Sequence, residues 1–139
     1  MIEKVYVSWK WVDEKIEVLA NKINNKEFKA ITGIPRGGLI PAVMLSHKLG
    51  VKYVPFNRFD SQVIYPDKDI LVIDDISDSG DTLINIGDKG YKTATLCYRY
   101  STKRIPEYYG EEIKNDMWIV FPWEENDSKT IQGYLENKK

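Results

Sequence analysis

Ile70-Leu71-Val72-Ile73-Asp74-Asp75-Ile76-Ser77-Asp78-Ser79-Gly80-Asp81-Thr82 is the stretch that decides how this 139-residue chain reads. An unbroken apolar run as short as Ile70-Leu71-Val72-Ile73 is the mark of a strand buried on both faces, as at the centre of a parallel sheet. Two carboxylates, Asp74 and Asp75, follow it directly. Unpaired charge at a buried strand end is costly, so the pair argues for a ligand rather than for a solvated turn. Ser79-Gly80-Asp81-Thr82 then opens a helix, where free N–H groups and the helix dipole favour an anion. Carboxylates repel a phosphate but suit hydroxyl groups or a hydrated Mg²⁺. Together these features imply a phosphorylated sugar with a free diol, accompanied by a metal ion.

Outward from this stretch, helical and strand patterns alternate. Ser8 is a helix N-cap, and Val12, Ile16, Leu19, Ala20 and Ile23 fall on one helical face behind it. Residues 28–34 read as a strand running into Pro35-Arg36-Gly37-Gly38. A second helix follows, carrying Leu39, Val43, Leu45 and Leu49 and ending at Gly50. Residues 51–56 read as a strand, 57–69 as a loop, and 82–89 as a short helix. Residues 93–98, 106–109 and 117–121 are further strands, and the polar tail from about 125 is expected to fray. This alternation predicts one α/β domain over 1–139, with βαβ units, right-handed crossovers and a mostly parallel sheet. Ligands in such sheets bind at the carboxyl ends of the strands, where the 34–38 and 74–82 loops lie.

Composition narrows the function classes. There are 20 basic and 21 acidic side chains, for a net charge of −1, so no general basic field exists for nucleic acid or a membrane surface. One cysteine, Cys97, excludes an internal disulfide and fits a reducing compartment; with one histidine, it makes a structural zinc site untenable. The N-terminal residues lack a signal-peptide layout and no apolar run is long enough to span a membrane, so a cytoplasmic location is expected. Cys97 and His47 make a poor nucleophilic pair, since no third group is placed to orient the histidine. A phospho-receiver reading fails because its acidic pair belongs near the start of the chain.

The 70–82 run resembles the phosphoribosyl pyrophosphate signature of type I phosphoribosyltransferases. The resemblance implies that family's fold: a mostly parallel central sheet flanked by helices, with a small hood and a flexible loop. It implies that Asp74 and Asp75 bind the ribose hydroxyls, with Asp75 nearest the Mg²⁺, mostly indirectly, because the substrate holds the ion. It implies that Asp78, Ser79, Gly80, Asp81 and Thr82 cradle the 5-phosphate and that Asp78 is the general base near N7 of a purine. Asp81, a negative charge in a phosphate loop, is expected to face solvent. Pro35, Arg36, Gly37 and Gly38 resemble the pyrophosphate loop, with Pro35-Arg36 as the candidate cis peptide.

Met117-Trp118-Ile119-Val120-Phe121-Pro122-Trp123-Glu124 is similar to the tail of xanthine-guanine and related 6-oxopurine members. That likeness gives Trp118 the stacking role and Ile119 the backbone contacts to the base, while Trp123 reads as packing. The activity implied is transfer of the phosphoribosyl group from phosphoribosyl pyrophosphate to N9 of hypoxanthine, guanine or xanthine, in a homo-oligomer, a dimer or tetramer. Two features depart from the family. Arg99 stands where a base-contacting Lys is usual, and reads either as a second donor to the purine or as a surface ion pair. The segment between Phe56 and Ile70 is shorter than the usual lid, leaving 61–66, with Tyr65, to serve. That shortening motivates the alternative reading, a non-catalytic regulator that binds phosphoribosyl pyrophosphate or nucleotides on the same fold.

Overall fold

The structure, a computed structural model, describes residues 3–57, 62–63 and 68–124. Its centre is a parallel sheet in the order β2 (Ala30–Gly33), β5 (Ile70–Ser77), β6 (Lys92–Arg99), β7 (Tyr108–Ile113). β5 is the interior strand of the opening stretch, and both its faces are covered. Leu71 and Ile73 pack with α1 (Trp9–Lys22) and α2 (Leu39–Leu49) residues such as Ile16, Leu19 and Leu45. Ile70 and Val72 point the other way, onto Ile86 of α3 (Asp81–Asp88). That is why the run contains no polar residue. A fully buried Leu or Ile contributes roughly 1.5–3 kcal/mol.

The helices end as their sequences dictate. The Ser8 hydroxyl accepts from the Trp11 amide at 3.0 Å, and Val12, Ile16 and Leu19 form the buried stripe of α1. α2 stops at Gly50, which has φ of 67°. Pro41 sits in the first turn of α2, where a missing N–H costs no helical bond. The buried face of α2 is Pro41, Ala42 and Leu45, so Val43, expected inside, is exposed.

Four strand expectations need correction. The acidic pair is not in a loop: β5 continues through Asp74 and Asp75 to Ser77, because β6 keeps pairing with it after β2 has ended at Gly33. Residues 51–56 are not a regular strand. They touch the sheet edge through one bridge, Ile31 with Tyr53, where the Ile31 amide donates to Lys52 O at 2.8 Å and the Val54 amide to Ile31 O at 2.9 Å. The 57–69 segment is not all loop, since β3 (Phe56–Asn57) pairs antiparallel with β4 (Gln62–Val63). Finally, β7 begins two residues after Pro106 and runs on to Ile113, with Glu111 on this edge strand tied to Lys15 at 2.7 Å. The β6–β7 connection carries no helix; it folds over the start of α3, where the Lys103 amide donates to Ser79 O at 3.0 Å.

β1 (Lys4–Tyr6) and β8 (Trp118–Val120) form a separate parallel pair, in register Lys4 with Trp118 and Tyr6 with Val120. This pair holds the start and end of the described chain beside the carboxyl ends of β5 and β6, and supplies the hood. Tyr65 and the expected frayed tail lie outside the described residues, as do the other positions of 61–66 except Gln62 and Val63. No described helix is long and apolar enough to cross a membrane.

Candidate active site

A cavity of about 970 Å³ opens at the carboxyl end of the sheet. Its wall includes Pro35, Arg36 and Gly37, then Asp74 to Thr82 without a break, then Trp118 and Ile119 from the hood. The sheet explains this convergence. β2 ends at Gly33, so its neighbour β5 projects Asp74 and Asp75 past it into the space beneath the 34–38 turn. The Pro35–Arg36 peptide is cis, at the bond singled out in the sequence. Gly38, expected with this loop, lies behind the wall: its amide donates to Ile34 O at 2.9 Å and it caps α2.

Gly37 packs so closely over Asp75 that a Cβ there would overlap the Asp75 carboxylate. Gly80 starts α3 with φ of 93°, and a Cβ there would sit 2.7 Å from the Arg104 amide and the Thr102 hydroxyl. The phosphate-type loop is therefore clamped between α3 and the 101–104 segment. Ser79 Oγ accepts from the Asp81 amide at 3.3 Å. Asp81 is exposed, as expected, and Lys103 Nζ lies 3.1 Å from its Oδ1.

The Asp75 amide donates to Asp74 Oδ1 at 2.9 Å, and the Ile76 amide to Asp75 Oδ1 at 2.7 Å. Burial, and then the charge of Asp75, hold the Asp74 carboxyl well above the usual carboxylate range. Burial pushes the Asp75 carboxyl up to about 6, with Glu124 adding in the same direction. Groups that bind protons more tightly folded than unfolded favour folding at low pH and cease to do so as pH rises through their folded pKa. Asp75 therefore costs stability increasingly as pH rises from about 4 to about 6, and Asp74 adds a cost in the same direction. Asp74→Asn keeps the Oδ1 acceptor and removes one charge. It should raise stability at pH 7, with little gain at pH 4. Urea unfolding at both pH values checks this; an equal change at both, or a loss at pH 7, contradicts it.

Sequence reasoning missed several wall residues. Phe56, Lys103 and Glu124 all line the cavity. Glu124 adds a further carboxylate to the wall, beyond Asp74, Asp75, Asp78 and Asp81, and its Oε1 accepts from the Phe121 amide at 2.7 Å. Trp118 is half-buried on the wall, whereas Trp123 stacks on Phe121 at 5.1 Å and tilts against Trp9 at 5.8 Å, in a packing role. Cys97 is buried, and that burial pushes its thiol up, away from nucleophilic use.

Arg99, expected at the base, does not itself line the cavity. Its Nε donates to Asp78 Oδ1 at 2.6 Å and its Nη1 to the Asn115 carbonyl at 2.7 Å. Arg99 thus forms the ion pair of the alternative reading, but from a largely buried position, 10% exposed, with Asp78 the half-exposed partner. The register explains the contact. Ser77 faces Tyr98 across β5 and β6, so the next residues, Asp78 just past the end of β5 and Arg99 at the last position of β6, come to lie side by side.

No family model matches the chain. The xanthine-guanine phosphoribosyltransferase of Vibrio parahaemolyticus serotype O3:K6 is 29% identical over 140 residues, spanning 89% of this chain and 91% of the relative. The crystal structure of a purine phosphoribosyltransferase from Pyrococcus horikoshii Ot3 superposes with a TM-score of 0.71 and 36% identity, over 88% of this chain and 95% of that one. A Helicobacter pylori xanthine-guanine-hypoxanthine phosphoribosyltransferase shares the fold at 23% identity, with a TM-score of 0.72 over 88% and 94% of the two chains. An acidic pair on the central strand, a hydroxyl- and glycine-bearing loop at a helix start, and near-complete overlap with these proteins have one common explanation: the chain belongs to the type I phosphoribosyltransferase family.

Proposed function

We propose that this enzyme transfers the 5-phosphoribosyl group of phosphoribosyl pyrophosphate to N9 of a 6-oxopurine, in purine salvage, and releases pyrophosphate. The observation that carries the reading is the unbroken wall from Asp74 to Thr82, facing Arg36 and Gly37 on one side and Trp118 on the other. The α3 N-terminus and the Ser79 and Thr82 hydroxyls suit a 5-phosphate. Asp74 and Asp75 suit the ribose diol. Arg36, exposed on the cavity rim, with the Gly37 backbone, suits a pyrophosphate that gains charge as it leaves. The Trp118 ring offers a stacking face to the purine, beside the Ile119 backbone. Asp78, on the wall between the phosphate loop and the base slot, accepts the base proton as N9 attacks ribose C1.

The residues also fit a Mg²⁺ ion that arrives with the substrate. Two adjacent carboxylates, both raised by burial, Asp74 further by the charge of Asp75 and Asp75 by that of Glu124, form a site that a cation relieves. Among the described residues no cluster of three or more ligands forms a cage, which suits an ion that keeps its waters and rides on phosphate oxygens. When bound, Mg²⁺ supplies charge neutralisation on the departing pyrophosphate.

Pyrophosphate release, measured with phosphoribosyl pyrophosphate, Mg²⁺ and each of hypoxanthine, guanine, xanthine and adenine, tests the assignment. Base-dependent release with at least one 6-oxopurine is expected. Release with adenine alone, or with no base, overturns it.

A further inference from the structure

We propose that Arg99 is a positioning residue: a strut that acts through Asp78 and joins it to the hood, rather than a donor to the purine. The inference rests on the phosphoribosyl-transfer reading above. Three observations carry it. Asp78 Oδ1 is taken by Arg99 Nε at 2.6 Å, a short charge-assisted bond that fixes the carboxylate plane and leaves Oδ2 as the oxygen for a substrate proton. Arg99 Nη1 donates at 2.7 Å to the Asn115 carbonyl, in the turn that leads into β8. That turn is itself set by Asn115 Oδ1, which accepts from the Met117 amide at 2.9 Å, one residue before Trp118.

One guanidinium thus spans the two sides of the base slot, the general base and the stacking ring. It does so from behind the wall, largely buried, while Asp78, Trp118 and Ile119 face the cavity. Only the fixed fork of an Arg reaches both acceptors at once; a Lys is a single compact charge on a flexible stem. The strut also places a cation on the protein side of Asp78, a carboxylate that stands beside a phosphate loop.

The test is a double-mutant cycle over Asp78→Asn and Arg99→Met, read in kcat and in KM for the base. A residue that works through Asp78 loses its effect once Asp78 no longer acts. Arg99→Met alone should lower kcat by roughly 10–100-fold with KM for the base within about threefold. Added to Asp78→Asn, it should lower kcat by less than about twofold more. Arg99→Lys, which retains one donor, should recover part of kcat.

A purine-contacting Arg99 gives the opposite pattern: KM for the base rises, kcat is kept, and the two losses multiply. Multiplied losses overturn the proposal, as does Arg99→Lys behaving no better than Arg99→Met while both keep the wild-type unfolding temperature. A second readout needs no activity. The Arg99 Nε–H resonance should exchange slowly with water in the wild type and quickly in Asp78→Ala. A wild-type enzyme without transfer activity but with this protected resonance means that the functional reading failed and the clamp stands; an unprotected resonance means that the clamp itself is wrong.

Discussion

Asp78→Asn should lower kcat by about 10²–10⁴-fold and change KM for phosphoribosyl pyrophosphate by no more than about threefold. The substitution is nearly isosteric. An amide oxygen still accepts from Arg99 Nε, so the loop that carries the residue keeps its anchor. The backbone of 78–82 still faces the cavity, and so does the start of α3. What disappears is a carboxylate able to take the proton that the purine sheds as its nitrogen attacks. A loss confined to kcat is the signature of an interaction made in the transition state and not in the ground state. Steady-state kinetics with one saturating 6-oxopurine give both parameters. An unchanged kcat removes Asp78 from the chemistry, and a large rise in KM with kcat intact makes it a binding residue.

The second large effect belongs to two neighbouring glycines that should fail in different ways. A Cβ on Gly38 would overlap the carbonyl oxygen of Ile73 and lie 2.8 Å from both the amide and the carbonyl oxygen of Ile34. All three are backbone atoms, and Ile73 precedes the acidic pair on the central strand, so no side chain can move aside. Gly38→Ala should cost about 3 kcal/mol, which lowers the unfolding temperature by roughly 10 °C. It should also lose activity, because it pushes apart the two segments that hold the pyrophosphate and ribose sides of the cavity. The three atoms nearest to a Cβ on Gly37 all belong to the Asp75 carboxylate, the end of a side chain that can swing. Gly37→Ala should therefore keep the unfolding temperature within about 3 °C and still lower kcat/KM by tenfold or more. Calorimetry and kinetics on the two variants check the contrast. A wild-type unfolding temperature for Gly38→Ala would show that the turn is not packed against Ile73 as described.

The parts of this site that were legible beforehand are those that local chemistry dictates. Ile70 to Ile73 announce a doubly covered strand, and carboxylates placed directly after it need a partner. Gly80 and Ser79 before an apolar helical pattern mark a helix start, and Ser8 and Gly50 mark helix ends for the same kind of reason. What stayed hidden depends on pairing between distant segments. Asp74 to Ser77 look like loop because they are polar, yet they remain strand because β6 runs on beside them. The partner of Arg99 follows from the register of Ser77 with Tyr98, which no local pattern encodes. Glu124, Lys103 and Phe56 reach the cavity from the hood, the β6–β7 connection and the small hairpin, each through chain reversals whose geometry is tertiary.

The central claim is that this cavity joins ribose to a base rather than merely holding the sugar. Product analysis tests it most directly. Protein, phosphoribosyl pyrophosphate, Mg²⁺ and one 6-oxopurine are incubated, and nucleoside monophosphate and pyrophosphate are quantified by chromatography with mass detection. The account predicts the two products in equal amounts, both forming at a proportionately lower rate when Asp78 is replaced by Asn. Ribose 5-phosphate and pyrophosphate without nucleotide, or bound substrate that yields no product, would contradict it.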